Sequence, residues 1–393
     1  MPPAADLTAC LVTRDHARDL PAALASAKAA AARVVVVDTG STDGTVELAE
    51  AHGARVVAFA WGDDFAAARN AALDAVTTPW VLWLNPDETF DAAAAVRIAT
   101  ATTDRHALAF AVTVQQQLAA DRPAYGTAGR EWRLFRRHDA LRYTGRLHPA
   151  LTPPPDRVAA GLGFETRPLD AIIVRHAYLN ELSPDKIRFT TRLLEAELRD
   201  RPGQVARTVE LGCNLLLLGD ARGHEVLGEA ATALKPALDR GEAPPPGVGP
   251  LVEYLLGVPA EQNRGPIDRD GARKVAIAHY LDAPPILWVL AGDRYGARDF
   301  ALAAKVLARL LELGSTGGYA VDLGFDPDIV GRGALMNLGQ CQLQLNRLPE
   351  ARACFTALLD DSRHGPRAAE LLATVESLDR LTLDKDGPSG EIL

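Results

Sequence analysis

Along the first hundred residues, short apolar runs alternate with stretches whose apolar positions recur at helical spacing. Residues 7–13 form an apolar run of strand length, and residues 19–31 carry an alanine-rich helical pattern. Val34-Val35-Val36-Val37 leaves no polar face, which predicts a central parallel strand covered on both sides. A polar turn over residues 38–44 follows, then a helix over 45–52 closed by Gly53, where helices commonly turn left-handed. Residues 55–59 predict a third strand, 65–76 a helix, and 80–84 a fourth strand that runs into Asn85-Pro86-Asp87-Glu88. This β-α-β-α-β order predicts an α/β fold with a mostly parallel sheet and right-handed crossovers. From residue 107 to 175 the pattern is β-rich and irregular. Ser183-Pro184-Asp185 then combines an N-cap, a first-turn proline and an acid, and nearly everything beyond it is helical. The expected organisation is an α/β domain over 1–180, an all-α domain over 181–380 and a frayed tail over 381–393.

The helical half repeats itself. Trp288, Ala291-Gly292, Tyr295, Ala304 and Ala308 follow the spacing of a tetratricopeptide repeat, as do Leu338-Gly339, Ala351 and Phe355, with Gln342 at the usual tyrosine position. The small residues predict close helix packing and the large ones fill the gap. A loop insertion over 314–327 accounts for the wide spacing of the two copies, and a weaker third copy begins at Leu211-Gly212. Stacked helical pairs of this kind bind extended peptides or a second copy of the chain, so a peptide or protein partner and a homodimer are both expected.

Composition narrows the class. Hydrophobic residues make up 48% and charged residues 24%, ordinary globular values, and the net charge of −9 argues against non-specific nucleic-acid binding. No apolar run reaches membrane-spanning length, and Cys10, Cys213, Cys341 and Cys354 are scattered without metal-binding spacing. Reduced core thiols and a cytoplasmic location are the expectation.

Ligands of open parallel sheets bind beyond the carboxyl ends of the strands. Three predicted strand ends carry polar residues: Thr13-Arg14-Asp15, Asp38-Thr39-Gly40-Ser41 and Asn85-Pro86-Asp87-Glu88. No GxGxxG follows the first strand and no Walker A sequence occurs, which disfavours dinucleotide and P-loop chemistry. Arg14-Asp15-His16 also lacks the glycine-rich loop of a nucleotidyltransferase.

The run from Val34 through Asp38-Thr-Gly-Ser-Thr-Asp43-Gly, then Asp63-Asp64-Phe65-Ala-Ala-Ala-Arg69-Asn70, then Trp80 to Glu88, resembles family-two glycosyltransferases of glycosyltransferase-A fold. Arg133-Leu134-Phe135-Arg136 and Gly145-Arg146-Leu147-His148 resemble that family's second half, and the order of domains is similar to its subgroup with tetratricopeptide repeats, which includes peptide S-glycosyltransferases. The resemblance implies an inverting transfer of a hexose from a nucleoside diphosphate, with UDP as the expected carrier, to a peptide, protein or small-molecule acceptor. It implies that Thr13 and Arg14 line the base, that Asp38 is its main polar partner, and that Arg69 approaches base or diphosphate. Asn85 and Asp87 stand where the family binds ribose and, through Mn²⁺ or Mg²⁺, the diphosphate; His148 corresponds to a histidine near that metal.

Two positions depart from the family pattern. Asn85 replaces an aspartate and brings no charge to a cation. Pro149 stands where a glutamate often serves as general base, leaving Glu88 or Glu131 as substitutes and a thiol acceptor as the one needing a base least. These departures also motivate the alternative of a catalytically degenerate nucleotide-sugar-binding scaffold. The Arg130–Arg137 stretch is expected to form a positive rim around the diphosphate, His176 to be structural, and Trp80 and Trp83 to be core residues, with Trp61 open to either role.

Overall fold

The computed structural model describes residues 2–117, 128–176, 183–319 and 325–383. Parts of three expected features, the domain boundary near 180, the insertion over 314–327 and the tail, fall at 177–182, 320–324 and 384–393, outside the described residues. The chain divides into two compact units, Met1–Pro202 and Gly203–Leu393.

The first unit begins β1 (Ala4–Thr13), α1 (Leu20–Ala30), β2 (Ala31–Asp38), α2 (Thr45–Ala51), β3 (Arg55–Ala58), α3 (Phe65–Ala75) and β4 (Trp80–Trp83). It continues with β5 (Glu88–Thr89), α4 (Ala92–Ala101), β6 (Ala107–Gln117), β7 (Ala128–Arg136), β8 (Arg142–Thr144), β9 (Ala150–Thr152), α5 (Pro155–Leu162), β10 (Glu165–His176) and α6 (Pro184–Asp200). Eight strands form one sheet in the order β3-β2-β1-β4-β7-β6-β10-β5, and β8 pairs with β9 apart from it. Pairings within β3-β2-β1-β4 and between β6 and β10 are parallel, whereas β7 and β5 pair antiparallel. The sheet is thus mostly parallel, as the alternation of strands and helices predicts.

Successive strand residues point to opposite faces, and both faces are covered here. Leu7, Ala9, Leu11, Val34, Val36, Trp80 and Leu82 pack with α1 and α4, while Cys10, Val35, Val37, Val81 and Trp83 pack with α3. The valine run therefore reports coverage on two sides. It does not report distance from the edge, since β2 lies second from it and the more central strand is β1. Local signals fix most helix ends. Gly53 follows α2 with φ +70°, Ser183 Oγ accepts from the Lys186 N–H at 3.3 Å to start α6, and Asp64 and Asp91 cap α3 and α4 in the same way. Helix α5, inside the β-rich stretch, carries its own marks: Pro155 in its first turn and Gly163 at φ +74° after its end.

The second unit comprises α7 (Val205–Leu217), α8 (Arg222–Asp239), α9 (Gly249–Gly257), α10 (Arg269–His279), α11 (Pro284–Gly296), α12 (Phe300–Thr316), α13 (Arg332–Gln344), α14 (Leu348–Thr356) and α15 (Gly365–Leu383). Helices α7/α8, α11/α12 and α13/α14 pack as consecutive pairs, the arrangement expected of the three repeat copies. Close approach depends on glycine in two of them. A Cβ at Gly223 would stand 2.7 Å from the Gly212 carbonyl oxygen, and one at Gly339 would stand 2.6 Å from Cε1 of Phe355. The same motif position in the middle copy is different, because nothing lies within 4 Å of a Cβ at Gly292.

All four cysteines are free, and no helix among the described residues is long and apolar enough to cross a membrane. The glycine geometry predicts opposite signs for two equivalent substitutions. Gly339→Ala overpacks the α13/α14 contact and should lower stability by about 1–3 kcal/mol. Gly292→Ala, free of neighbours, should raise it by about 0.5–1 kcal/mol through helix propensity. Urea titrations followed by far-UV circular dichroism read both, and equal effects would contradict the packing described.

Candidate active site

The first three polar strand ends meet because main-chain hydrogen bonds tie them. Thr39 donates from both N and Oγ1 to the Thr13 carbonyl, at 3.0 and 3.1 Å, and Leu84 N donates to the Cys10 carbonyl at 3.1 Å. The loop after β1 is held onto the turn after β2. Asp15 accepts from Thr42 N at 2.7 Å, Asp43 accepts from Ala17 N at 3.0 Å, and His16 N donates to Thr45 Oγ1 at 2.8 Å. Asp38 turns back on its own loop, accepting from Gly40 N at 3.0 Å, from Ser41 N at 3.1 Å and from the Ser41 hydroxyl. This loop chemistry is what aspartate beside glycine and serine offers.

Beside these tips lies a cleft of about 770 Å³, within the usual range for small-molecule sites. One wall carries Thr13, Arg14, His16, Thr39, Asn85 and Asp87. The Thr13 hydroxyl is buried and has no hydrogen-bond partner among the described residues. An orphaned buried hydroxyl is uncommon and costly, so a ligand atom that completes it gains affinity. The opposite wall brings Trp61 and Phe65 together with Lys186, Phe189 and Arg192 of α6. Trp61 stacks near Phe189 with ring centroids 6.3 Å apart, and Phe65 meets Trp61 edge-on at 4.8 Å. Arg69 rests on Trp83 and Tyr143, its guanidinium carbon 4.4 and 5.0 Å from the ring centres, and donates to the Pro149 carbonyl at 3.4 Å.

Below the cleft floor lies a buried charge network. Glu88 has no exposed surface and Arg133 is 2% exposed. Arg133 grips the carboxylate with two nitrogens at 3.1 and 2.9 Å, Arg175 donates from Nε and Nη2 at 3.0 and 2.7 Å, and Asn85 adds its backbone N–H at 2.8 Å and its amide at 3.0 Å. Burial alone would raise the Glu88 pKa, yet Arg133 and Arg175 hold it below the ordinary glutamate value. Glu131, about half exposed, joins the network 3.0 Å from Arg133 and 3.7 Å from Arg175.

Asp87 faces the cleft and makes no side-chain hydrogen bond or ion pair among the described residues. Burial and then the neighbouring Glu88 raise its pKa, with Arg175 opposing. Three carboxylates, Asp87, Glu88 and Glu131, thus face two guanidiniums, and the surplus negative charge sits where a ligand would enter. That donor set fits a hard divalent cation shared with a diphosphate, since Mg²⁺-like ions bind through one or two carboxylates plus substrate phosphates. It does not form a self-sufficient cage: the described residues hold no group of three His, Cys, Asp or Glu able to take a metal.

Residues 8–151 match the family described as glycosyl transferase family 2. This segment is a family 2 glycosyltransferase domain. Over 144 residues the chain is 36% identical to a TPR repeat-containing protein of Synechococcus elongatus, covering 37% of this chain and 35% of that protein. Over 73 residues it is 42% identical to glycosyltransferase AglJ of Haloferax volcanii, covering 19% of this chain and 24% of that one. The chain therefore spans about a third and a quarter of the length of these relatives. A solved mannosyltransferase from Pyrobaculum calidifontis, in complex with GDP-Man and Mn²⁺, is 16% identical with a TM-score of 0.36, over 61% of this chain and 81% of that one.

Within the glycosyltransferase domain, Thr13, Arg14, Arg69, Asn85 and Asp87 share the cleft, whereas Asp38 is represented there by its neighbour Thr39. Glu88 does not fit the part of general base, because it is sealed and already accepts from three residues. Glu131 is not a cleft-lining residue and is engaged with Arg133. His148 is exposed and is not among the cleft-lining residues, whereas its neighbours Leu147 and Pro149 are. The positive rim over residues 130–137 is not formed: Arg133 points into the core and Arg136 stacks on Trp80 at 4.5 Å. Positive charge instead comes from Arg14, Arg69, Arg175, Lys186 and Arg192. His176 is structural, bonding Thr89 Oγ1 at 2.9 Å across β10 and β5.

Removing the Glu88 charge leaves the buried Arg133 with only the half-exposed Glu131 as counter-ion. Glu88→Gln should cost about 3–5 kcal/mol at neutral pH. A lowered native pKa stabilises fully above the unfolded value near 4.3 and is lost as pH falls through the native one, so the deficit should shrink below about pH 4. Urea titrations at pH 7 and pH 3.5 check this; a pH-independent difference would contradict it.

Proposed function

We propose that the protein is an inverting hexosyltransferase that takes its sugar from UDP-hexose and delivers it to a peptide or protein side chain. The observation that supports this most is Asp87, a desolvated carboxylate without a side-chain partner among the described residues, just beyond β4 and in the same cleft as the orphaned Thr13 hydroxyl. Thr13 and Thr39 would meet the base, Asn85 the ribose, and Asp87 would hold Mn²⁺ or Mg²⁺ against the diphosphate. Bound there, the cation would neutralise charge on the departing nucleoside diphosphate. The mannosyltransferase above, solved with GDP-Man and Mn²⁺, binds ligands of this class.

The chain's own residues define the rest. Arg69, desolvated and fixed between two rings, adds a positive charge that needs no rearrangement on binding. Asp87 is the single carboxylate among the described residues that line the cleft, and a carboxylate bound to a cation is a poor proton acceptor. A nucleophile that ionises by itself near neutral pH therefore suits the site best, which favours a cysteine thiol on the acceptor. The repeat unit would bind the acceptor chain or a second copy of the protein.

The same scarcity of bases favours a second reading, a scaffold that binds the nucleotide sugar without turnover. Donor hydrolysis or transfer to thiol peptides separates the two: tight UDP binding with no turnover over several donors and acceptors would favour the scaffold. For binding itself, thermal shifts with UDP, GDP and ADP in Mn²⁺ are the test. A ligand at a hundred times its Kd stabilises by about 2.7 kcal/mol. UDP should give the largest shift, Asp87→Ala should abolish the part that EDTA also abolishes, and equal shifts in both proteins would contradict Asp87 as cation ligand.

A further inference from the structure

Five cationic side chains line the cleft, and four have a position that explains them without a ligand. Arg69 is packed between Trp83 and Tyr143. Arg192 is bound to Asp63 at 2.9 Å. Arg14 is about half exposed beside Asp15, and Lys186 sits in the first turn of α6. Arg175 is different. It comes from β10, beyond the segment that matches the family, and lies opposite Glu88 in the antiparallel β5–β10 pair. The same pair fixes Asp87, whose carbonyl accepts from His176 N at 2.9 Å. Arg175 and Asp87 are therefore held beside one another by backbone bonds.

The guanidinium is aimed as well as placed. Its Nε and Nη2 both donate to one oxygen of the sealed Glu88 carboxylate, at 3.0 and 2.7 Å, and Nη1 takes no part in these bonds. Arginine carries five N–H donors in a rigid plane, so fixing one edge fixes the direction of the others. The side chain is 29% exposed and lines the cleft. Arg133 already gives Glu88 a fully buried bidentate partner, so one guanidinium would suffice to neutralise that carboxylate. The second one, partly exposed at the cleft and 3.7 Å from Glu131, keeps Nη1 outside these contacts. Beside Asp87 it stands where a cation-bound diphosphate would arrive, and planar guanidinium forks match phosphate oxygens.

We infer that Arg175 is a diphosphate ligand of the donor, aimed by Glu88 as a positioning residue and acting beside the cation that Asp87 would hold. This rests on the nucleotide-sugar reading and adds to it the residue that grips the leaving group. Transfer breaks the bond between the sugar's anomeric carbon and a β-phosphate oxygen, the electron pair goes to that oxygen, and the acceptor thiolate, its proton already given up to solvent, bonds to the carbon. Arg175 would donate hydrogen bonds to phosphate oxygens as that charge grows.

The test compares UDP with uridine, which lacks the phosphates, by ligand-observed NMR titration of the full chain in Mn²⁺. Arg175→Met should weaken UDP by about tenfold, the size of one charge-assisted hydrogen bond, and leave uridine unchanged. An unchanged ratio of UDP to uridine affinity overturns the assignment while the nucleotide reading stands; failure of wild type to bind either ligand overturns both. Should Arg175→Met not fold, the wild type gives the answer through phenylglyoxal modification read by peptide mass spectrometry. UDP but not uridine should protect Arg175, and equal modification with and without UDP overturns the inference.

Discussion

A carboxylate with no exposed surface sits where β5, β7 and β10 come together, and the cleft depends on it. Glu88 draws Arg133 from β7 and Arg175 from β10 onto itself and takes the Asn85 backbone and amide as well. Desolvating such a charge is costly unless its hydrogen-bonding capacity is filled, and here six contacts fill it. The reward is geometric. With Asn85 and Glu88 fixed, the two residues between them have little freedom, and Asp87 is directed into the cleft.

The electrostatics follow from this arrangement. Glu88 is stabilised as an anion and in turn raises the cost of a second anion at Asp87, a strain that a ligand cation relieves. The other wall is built on different principles. There an aromatic group of Trp61, Phe65 and Phe189 offers apolar surface, and Asp63, with φ +56°, accepts from both Trp61 Nε1 and Arg192. A cleft with one polar wall at strand ends and one aromatic wall suits a ligand that is charged at one end and ring-shaped at the other.

The parts of this architecture that were legible in the sequence are those specified locally. Four strands, their turns, the cap at Ser183 and the paired repeat helices follow from spacing and capping residues within a dozen positions. The role of adjacent acids was not legible. Asp87 and Glu88 look alike in the chain, and their separation into a cleft ligand and a sealed anchor is made by arginines 45 and 87 residues away from Glu88. Arg175 did leave a sign: it continues the inward-facing series Ala171, Ile173 on β10, and a charge at an inward position calls for a partner. Lys186 and Arg192 gave none, because on a helix their spacing reads as an ordinary solvated face. At Gly292 the repeat pattern promised a close approach that occurs at Gly212 and Gly339 but not there, since a motif fixes residue type more firmly than the distance between helices.

The account stands on the claim that the cleft beside β1, β2 and β4 holds a nucleoside diphosphate with its cation at Asp87. A crystal grown with UDP and Mn²⁺ and measured at the manganese edge tests this most directly. An anomalous peak within coordination distance of an Asp87 oxygen, with the uracil against Thr13, is the predicted result. Manganese or nucleotide bound elsewhere, with Asp87 untouched, would contradict it.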